Sequence, residues 1–254
     1  MSASAVRYFR GRDGLRLAYR ELGQGRPLVL LHGYLGTAEA TWVKSGIAAA
    51  IAGHGYRVIM PDMRGHGDSA RPHDPAAYPP DVLADDGLLL VEQLGLTGYD
   101  LGGYSLGGRT VVRMLARGAV PGRAVVGGQG LEAVLHTAGR GGQFRHLLSN
   151  FGTFEPGSRE RAMEDRLTAS GADPAALVNI PGTFVSTSPD ELAAITVPVL
   201  VLTGAEDGHD ESAAALADAL PSGQYLRLPG THYSAFITPE FLAAVTGFLG
   251  SSPG

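Results

Sequence analysis

The sequence of 254 residues contains no cysteine. That excludes disulfide bridges, a thiolate nucleophile and any metal site built on sulfur. Lysine is nearly absent too: Lys44 stands alone beside many arginines, a bias of composition that carries no function. Basic residues (20) are outnumbered by acidic ones (25), for a formal net charge of -5. An acidic chain without a basic patch lacks the electrostatic footprint of non-specific nucleic-acid binding. No apolar run approaches the roughly 18 residues a membrane span needs, and Met1 to Val6 has no hydrophobic leader segment. No membrane association is therefore expected, and the expected location is the cytoplasm. The chain does have apolar residues (44%) in excess of charged ones (18%), enough to bury a sizeable core.

The pattern of apolar runs alternates between strand and helix. Arg7 to Arg10 and Leu15 to Glu21 flank Gly11-Arg12-Asp13-Gly14 and read as a hairpin. Leu28 to Leu31 is apolar throughout, as suits a central parallel strand. A helix is expected over Thr41 to Ala52, a strand over Tyr56 to Met60, and a helix from about Asp81 to Leu94. Arg123 to Val126 reads as a sixth strand. Strand signals then stop until Pro198 to Leu202, and Arg159 to Ala169 reads as a solvated helix with an Arg161/Asp165 pair. Glu211 to Leu220 is expected to be helical, and Gln224 to Leu228 a strand. Thr238 should cap a last helix that opens on Pro239. Such alternation implies a mostly parallel sheet with helices on both faces, in a single domain spanning 1–254.

The most informative stretch is Gly103-Tyr104-Ser105-Leu106-Gly107, a G-x-S-x-G between an apolar strand and a helix. The same letters could describe a bare turn, but the strand-then-helix context is that of a nucleophile elbow. Glycines at 103 and 107 let the strand and the helix close on a sharp turn that projects Ser105 Oγ. The amide of Leu106, at the start of the helix, would point at an oxyanion formed there. Neither a G-x-x-x-x-G-K-[ST] nor a G-x-G-x-x-G phosphate loop is present.

The chain resembles the α/β-hydrolase family, specifically its single-domain members with a helical lid. The resemblance rests on Leu31-His32-Gly33-Tyr34, Pro61 to Ser69, Gly103 to Gly108, Gly204-Ala205-Glu206-Asp207 and Pro229-Gly230-Thr231-His232. It implies a lid insertion over about 128–190, after the sixth strand. It also implies a catalytic Ser105-His232-Asp207 triad and an oxyanion hole made by the amides of Tyr34 and Leu106. Asp207 has acidic neighbours in Glu206 and Asp210, of which Asp210 is expected to serve the next helix start. His32 and His66 would be structural, His32 bracing the oxyanion loop. Phe144, Phe151, Phe154 and Phe184 are candidates for a pocket wall or for the lid's own core. Arg113 and Arg117 are expected on a solvated helix face.

Serine at 105 excludes the aspartate nucleophile of epoxide hydrolases and dehalogenases. The resemblance therefore implies a serine hydrolase acting on a small or medium, largely apolar carboxylic ester or lactone. Alternatives on the same triad are a thioester or carbon–carbon bond hydrolase, a cofactor-free perhydrolase, and an acyltransferase or cyclase. A slow-turnover ligand-binding member of the fold is the alternative from another class. No metal and no cofactor are expected, because His32 and His66 lack ligand-like company. The expected partner is a small-molecule substrate, with the chain a monomer or homodimer.

Overall fold

The computed structural model describes residues 5–137, 142–208 and 210–250. Its strands are β1 (Arg7–Arg10), β2 (Arg16–Leu22), β3 (Arg26–Leu31), β4 (Tyr56–Pro61), β5 (Asp100–Tyr104), β6 (Ala124–Gly127), β7 (Val199–Gly204) and β8 (Gly223–Leu228). They form one sheet in the order β1-β2-β4-β3-β5-β6-β7-β8. β1 and β2 form the expected antiparallel hairpin, β2 runs antiparallel to β4, and β3 to β8 pair in parallel. All six residues of β7 and the last four of β3 are buried. Central strands covered on both sides must be apolar on both sides, which is why these runs do not alternate. The edge strand β8 leaves Gln224, Leu226 and Arg227 exposed.

The helices are α1 (Ile47–Ala52), α2 (Val82–Gln93), α3 (Leu106–Ala116), α4 (Leu131–Leu135), α5 (Gly142–Ser149), α6 (Arg159–Ala169), α7 (Pro174–Leu177), α8 (Pro189–Ala193), α9 (Asp210–Asp218) and α10 (Pro239–Gly250). Alternate residues of each strand face opposite layers. Val29 and Leu31 pack with Leu90, Val111, Met114, Leu192 and Leu216 from α2, α3, α8 and α9. Leu28 and Leu30 pack with Ile47, Ile51, Phe241, Val245 and Leu249 from α1 and α10. Thr238 Oγ1 caps α10 by accepting from the Phe241 amide at 3.1 Å. Between β6 and β7 the described residues carry helices α4 to α8 and no strand, as expected. Leu147, Leu148, Leu167 and Leu177 of this insertion gather with Met63, Leu83 and Leu106 in a third apolar cluster. None of the described helices is long and apolar enough to cross a membrane.

Two expectations need correction. The helix expected over Thr41–Ala52 is divided: a π-helical turn covers Glu39–Val43, and α1 begins only at Ile47. Gly46, at φ +82°, takes a left-handed conformation that redirects the chain between them. Arg113 is not solvated. Residues Leu106 to Leu115 of α3 are all buried, since this helix is enclosed by the sheet, α2 and the insertion. A guanidinium in that position must be paired. Arg113 pairs with Asp81 at 2.7 Å and with Glu191 at 3.1 Å. Arg117 is one third exposed and reaches Asp81 and Asp85. The Arg161–Asp165 pair forms on α6 at 3.0 Å, as read from its spacing.

The topology sets where a site can form. β4 and β5 lie on opposite sides of β3. The chain therefore reverses its progress across the sheet there, leaving a crevice at the carboxyl ends of β3 and β5.

Candidate active site

Ser105 follows the last residue of β5 and precedes the first of α3, with φ +56° and ψ −116°. A serine avoids this conformation, at a cost on the order of 1–3 kcal/mol, unless its surroundings hold it. Its amide donates to Gly127 O at 2.8 Å. Its carbonyl accepts from Arg109 N at 3.0 Å and from Gln129 Nε2 at 2.7 Å. The turn also brings α3 onto β3 so tightly that a Cβ on Gly107 would overlap the Leu31 carbonyl. The flanking glycines thus serve the close approach expected of them.

His232 lies in the loop after β8. Its Nε2 is 2.9 Å from Ser105 Oγ, and its Nδ1 is 2.8 Å from Asp207 Oδ2. The Asp207 side chain is 5% exposed and that of His232 27%. Two backbone bonds stitch the loops that carry them: Ala205 N to Leu228 O at 2.7 Å, and Glu206 N to Gly230 O at 3.0 Å. Gly204 has no room for a side chain, because a Cβ there would overlap Gly230 O. Glu206 is exposed. Asp210 begins α9 and accepts from Arg227 Nε at 2.7 Å. Of the three neighbouring acids, Asp207 is the one the fold brings to His232.

The segment after β3 closes the other side of Ser105. Gly33 is close enough that a Cβ on it would stand 3.4 Å from Ser105 Cβ. Tyr34 follows it, and Leu106 opens α3, where its amide has no acceptor within the helix. His32 is fully buried. Its Nδ1–H donates to Gly33 O at 2.8 Å and its Nε2 accepts from Met63 N at 3.0 Å, so the ring is neutral. Burial pushes its pKa down to about 4. His66 donates from Nδ1 to Arg64 O at 3.0 Å, and its ring lies 5.0 Å from that of His32. Burial and then the neighbouring His32 push its pKa down to about 3. Asp62 fixes both loops by accepting from Ala38 N at 2.7 Å and Asp68 N at 3.0 Å.

Phe151, Phe154 and Phe184 are half-buried against the cluster that contains Leu106. The guanidinium of Arg109, which also donates to Ala133 O, lies 4.9 Å from the Phe184 ring centre. Phe144 falls in α5, and its side chain lies outside the described residues. Among the described residues no group of three or more His, Asp or Glu is placed to hold a metal ion. Gln129 and Tyr104, the latter with its ring 5.4 Å from His232, were not anticipated. Gln129 had a usable signal. It sits between Gly128 and Gly130 just past β6, a glycine-flanked polar residue at a strand's carboxyl end like Ser105 itself.

A mostly parallel sheet with a strained serine after its fifth strand defines the architecture of an α/β hydrolase. The comparisons with known proteins agree. Residues 26–126 match the model of a family described as alpha/beta hydrolase fold. A solved structure of a hydrolase from Pseudomonas aeruginosa superposes with a TM-score of 0.76 and 26% identity, over 98% of this chain and 100% of that one. An enol-lactonase from Burkholderia xenovorans superposes with a TM-score of 0.73 at 23% identity, over 96% of this chain and all of that one, a likeness of fold. By sequence, a non-heme chloroperoxidase of Kitasatospora aureofaciens is 38% identical over 106 residues. That match spans 42% of this chain and 37% of the relative. Residues 26–126 thus resemble that family, and the described residues as a whole have the α/β-hydrolase fold.

Proposed function

We propose that this protein is a serine hydrolase that cleaves a small or medium, largely apolar carboxylic ester or lactone through an acyl-enzyme. The observation that carries this reading is the chain of contacts Ser105 Oγ–His232 Nε2–Asp207 Oδ2 at 2.9 and 2.8 Å. An unassisted serine hydroxyl is a weak nucleophile. In this reading His232 takes the Ser105 proton as Oγ bonds to the ester carbonyl carbon. Asp207 holds the imidazole with its proton on Nδ1 and stabilises the cation formed. The amides of Tyr34 and Leu106 receive the oxyanion; removing one such donor typically raises the barrier by about 3 kcal/mol. His232 then returns the proton to the departing alkoxide, and water repeats the sequence on the acyl-serine, releasing the acid. The helical insertion serves as the lid, with Phe151, Phe154 and Phe184 as apolar wall.

A second reading is favoured by the chloroperoxidase likeness: the same acyl-serine passes its acyl group to hydrogen peroxide instead of water. Both readings require Ser105 as nucleophile. A fluorophosphonate probe should label the wild type stoichiometrically and leave Ser105→Ala unlabelled. Turnover of p-nitrophenyl esters and lactones, with and without peroxide, then separates the two acceptors. Labelling that persists in Ser105→Ala would overturn the assignment.

A further inference from the structure

Tyr34 does more than lend its backbone. Its phenol donates to the carbonyl of Leu177 at 2.7 Å, across 143 residues of sequence. Leu177 is the last residue of α7, where a carbonyl has no partner in its own helix and accepts one from outside. The phenol is half-buried, and burial pushes its pKa up, so it remains a donor throughout the neutral range. The Tyr34 ring also stands edge-on to His66, with centroids 6.0 Å apart.

Leu35, the next residue, has φ +64°, a left-handed conformation that leucine rarely adopts. It packs with Tyr34 against the cluster containing Leu177 and Ile180. At the other end of the same short loop, His32 Nδ1 and Gly36 N both donate to Gly33 O, at 2.8 and 3.1 Å. The Tyr34 amide therefore lies between a carbonyl held by His32 and a side chain held by α7.

The α7 region is itself anchored to the loop after β4. His73 Nε2 lies 3.0 Å from Asp173 Oδ2, Arg71 donates to Gly171 O at 2.9 Å, and Asn179 donates to His73 O at 3.3 Å. The acceptor offered to Tyr34 is thus a fixed one.

We infer that the Tyr34 phenol is a positioning group: by tying the loop after β3 to α7, it makes the helical insertion set the aim of the Tyr34 amide at the oxyanion. The inference rests on the serine-hydrolase reading above. Without the tie, the left-handed backbone of Leu35, next to Tyr34, is free to relax, and a small displacement of a preorganised donor is costly.

Tyr34→Phe removes the bond and leaves the ring and the backbone amide in place. On a p-nitrophenyl ester, kcat should fall about tenfold while KM stays within about twofold, the pattern of a contact made chiefly in the transition state. An alkyl boronic acid that adds to Ser105 as a tetrahedral anion should lose affinity by the same factor. A variant with wild-type kcat and boronate affinity would overturn the inference. So would a raised KM at unchanged kcat, which would place the phenol on the substrate. A fall in kcat with unchanged boronate affinity and a lowered melting temperature would reduce the bond to a structural one and also overturn it. Wild-type protein that binds no boronate and takes no fluorophosphonate would instead overturn the serine-hydrolase reading, and this inference with it.

Discussion

Lowering the pH from 7 to 5 sets the folded chain against its unfolded form at two imidazoles, His32 and His66. In the unfolded chain each takes up its proton near pH 6.5. In the fold burial holds them to about 4 and about 3. Between these limits the unfolded state binds more protons, so stability is fully present above about pH 6.5 and is lost as the pH falls toward 4 and 3. Integrated from pH 7 to pH 5, each histidine costs about 2 kcal/mol, a large part of an ordinary folding free energy. Asp62 and Asp86, whose carboxyls burial pushes upward, shift the balance the other way as the pH falls. A comparison of variants cancels that offset. Gln in place of His66 retains an N–H for Arg64 O and does not titrate. Urea unfolding of wild type and His66→Gln at pH 7, 6 and 5 should show the wild type losing about 2 kcal/mol more than the variant. Parallel losses would refute the view that His66 is held neutral by burial.

Further outcomes follow from the paired side chains. Asp207→Asn should lower kcat by about 10⁴-fold, because an asparagine presents its donor to Nδ1 and imposes the wrong tautomer. Asp210→Asn, which weakens the half-exposed pair with Arg227, the contact with the Tyr225 hydroxyl and the start of α9, should cost about 1 kcal/mol in a urea melt and leave kcat unchanged. Arg113→Met should destabilise by about 1–3 kcal/mol, since Asp81, at 12% exposure, would keep only Arg117 at 3.3 Å and Glu191 would lose its partner. Adding Asp81→Asn should recover part of that loss in the same melt.

Ser105, Asp207 and His232 were singled out by the resemblance to α/β-hydrolase motifs, and in the structure each follows closely on a strand, β5, β7 and β8. Parallel pairing then places all three ends at one edge: Gly103 opposite Val126, Val126 opposite Val201, Val201 opposite Tyr225. Gly46 was the available signal for the divided helix at 39–52, but the apolar run on either side masked it. The Tyr34–Leu177 bond and the Arg113–Glu191 pair were not legible. They join residues 143 and 78 apart and depend on how an irregular helical segment settles on the sheet, which no periodicity encodes. Arg113 looked solvated because a helix face reads as polar wherever an arginine stands on it. Its surroundings, and not its own letter, decide whether it is paired.

Among the described residues, three that are not glycine have positive φ: Leu35, Asp81 and Ser105. Each leans on the segment between β6 and β7. The Ser105 carbonyl is held by Gln129 at 2.7 Å, the loop of Leu35 by Leu177 O through Tyr34, and the Asp81 amide by Thr183 O at 2.8 Å. Conformations of this kind persist only where neighbouring contacts over-determine them. A cover that merely shaped a pocket could be trimmed to admit larger substrates. A segment that holds strained backbone at and around Ser105 could not. Bridging β6 to β7 by a short loop in place of residues 131–188 spares Gln129 but removes Leu177 and Thr183. Such a variant should therefore lose at least tenfold in kcat on short and long p-nitrophenyl esters alike, the scale of a misplaced oxyanion donor. Circular dichroism establishes that the shortened chain has folded before rates are compared. A folded variant that keeps its kcat on short esters and gains activity on long ones would show that the insertion is only a cover.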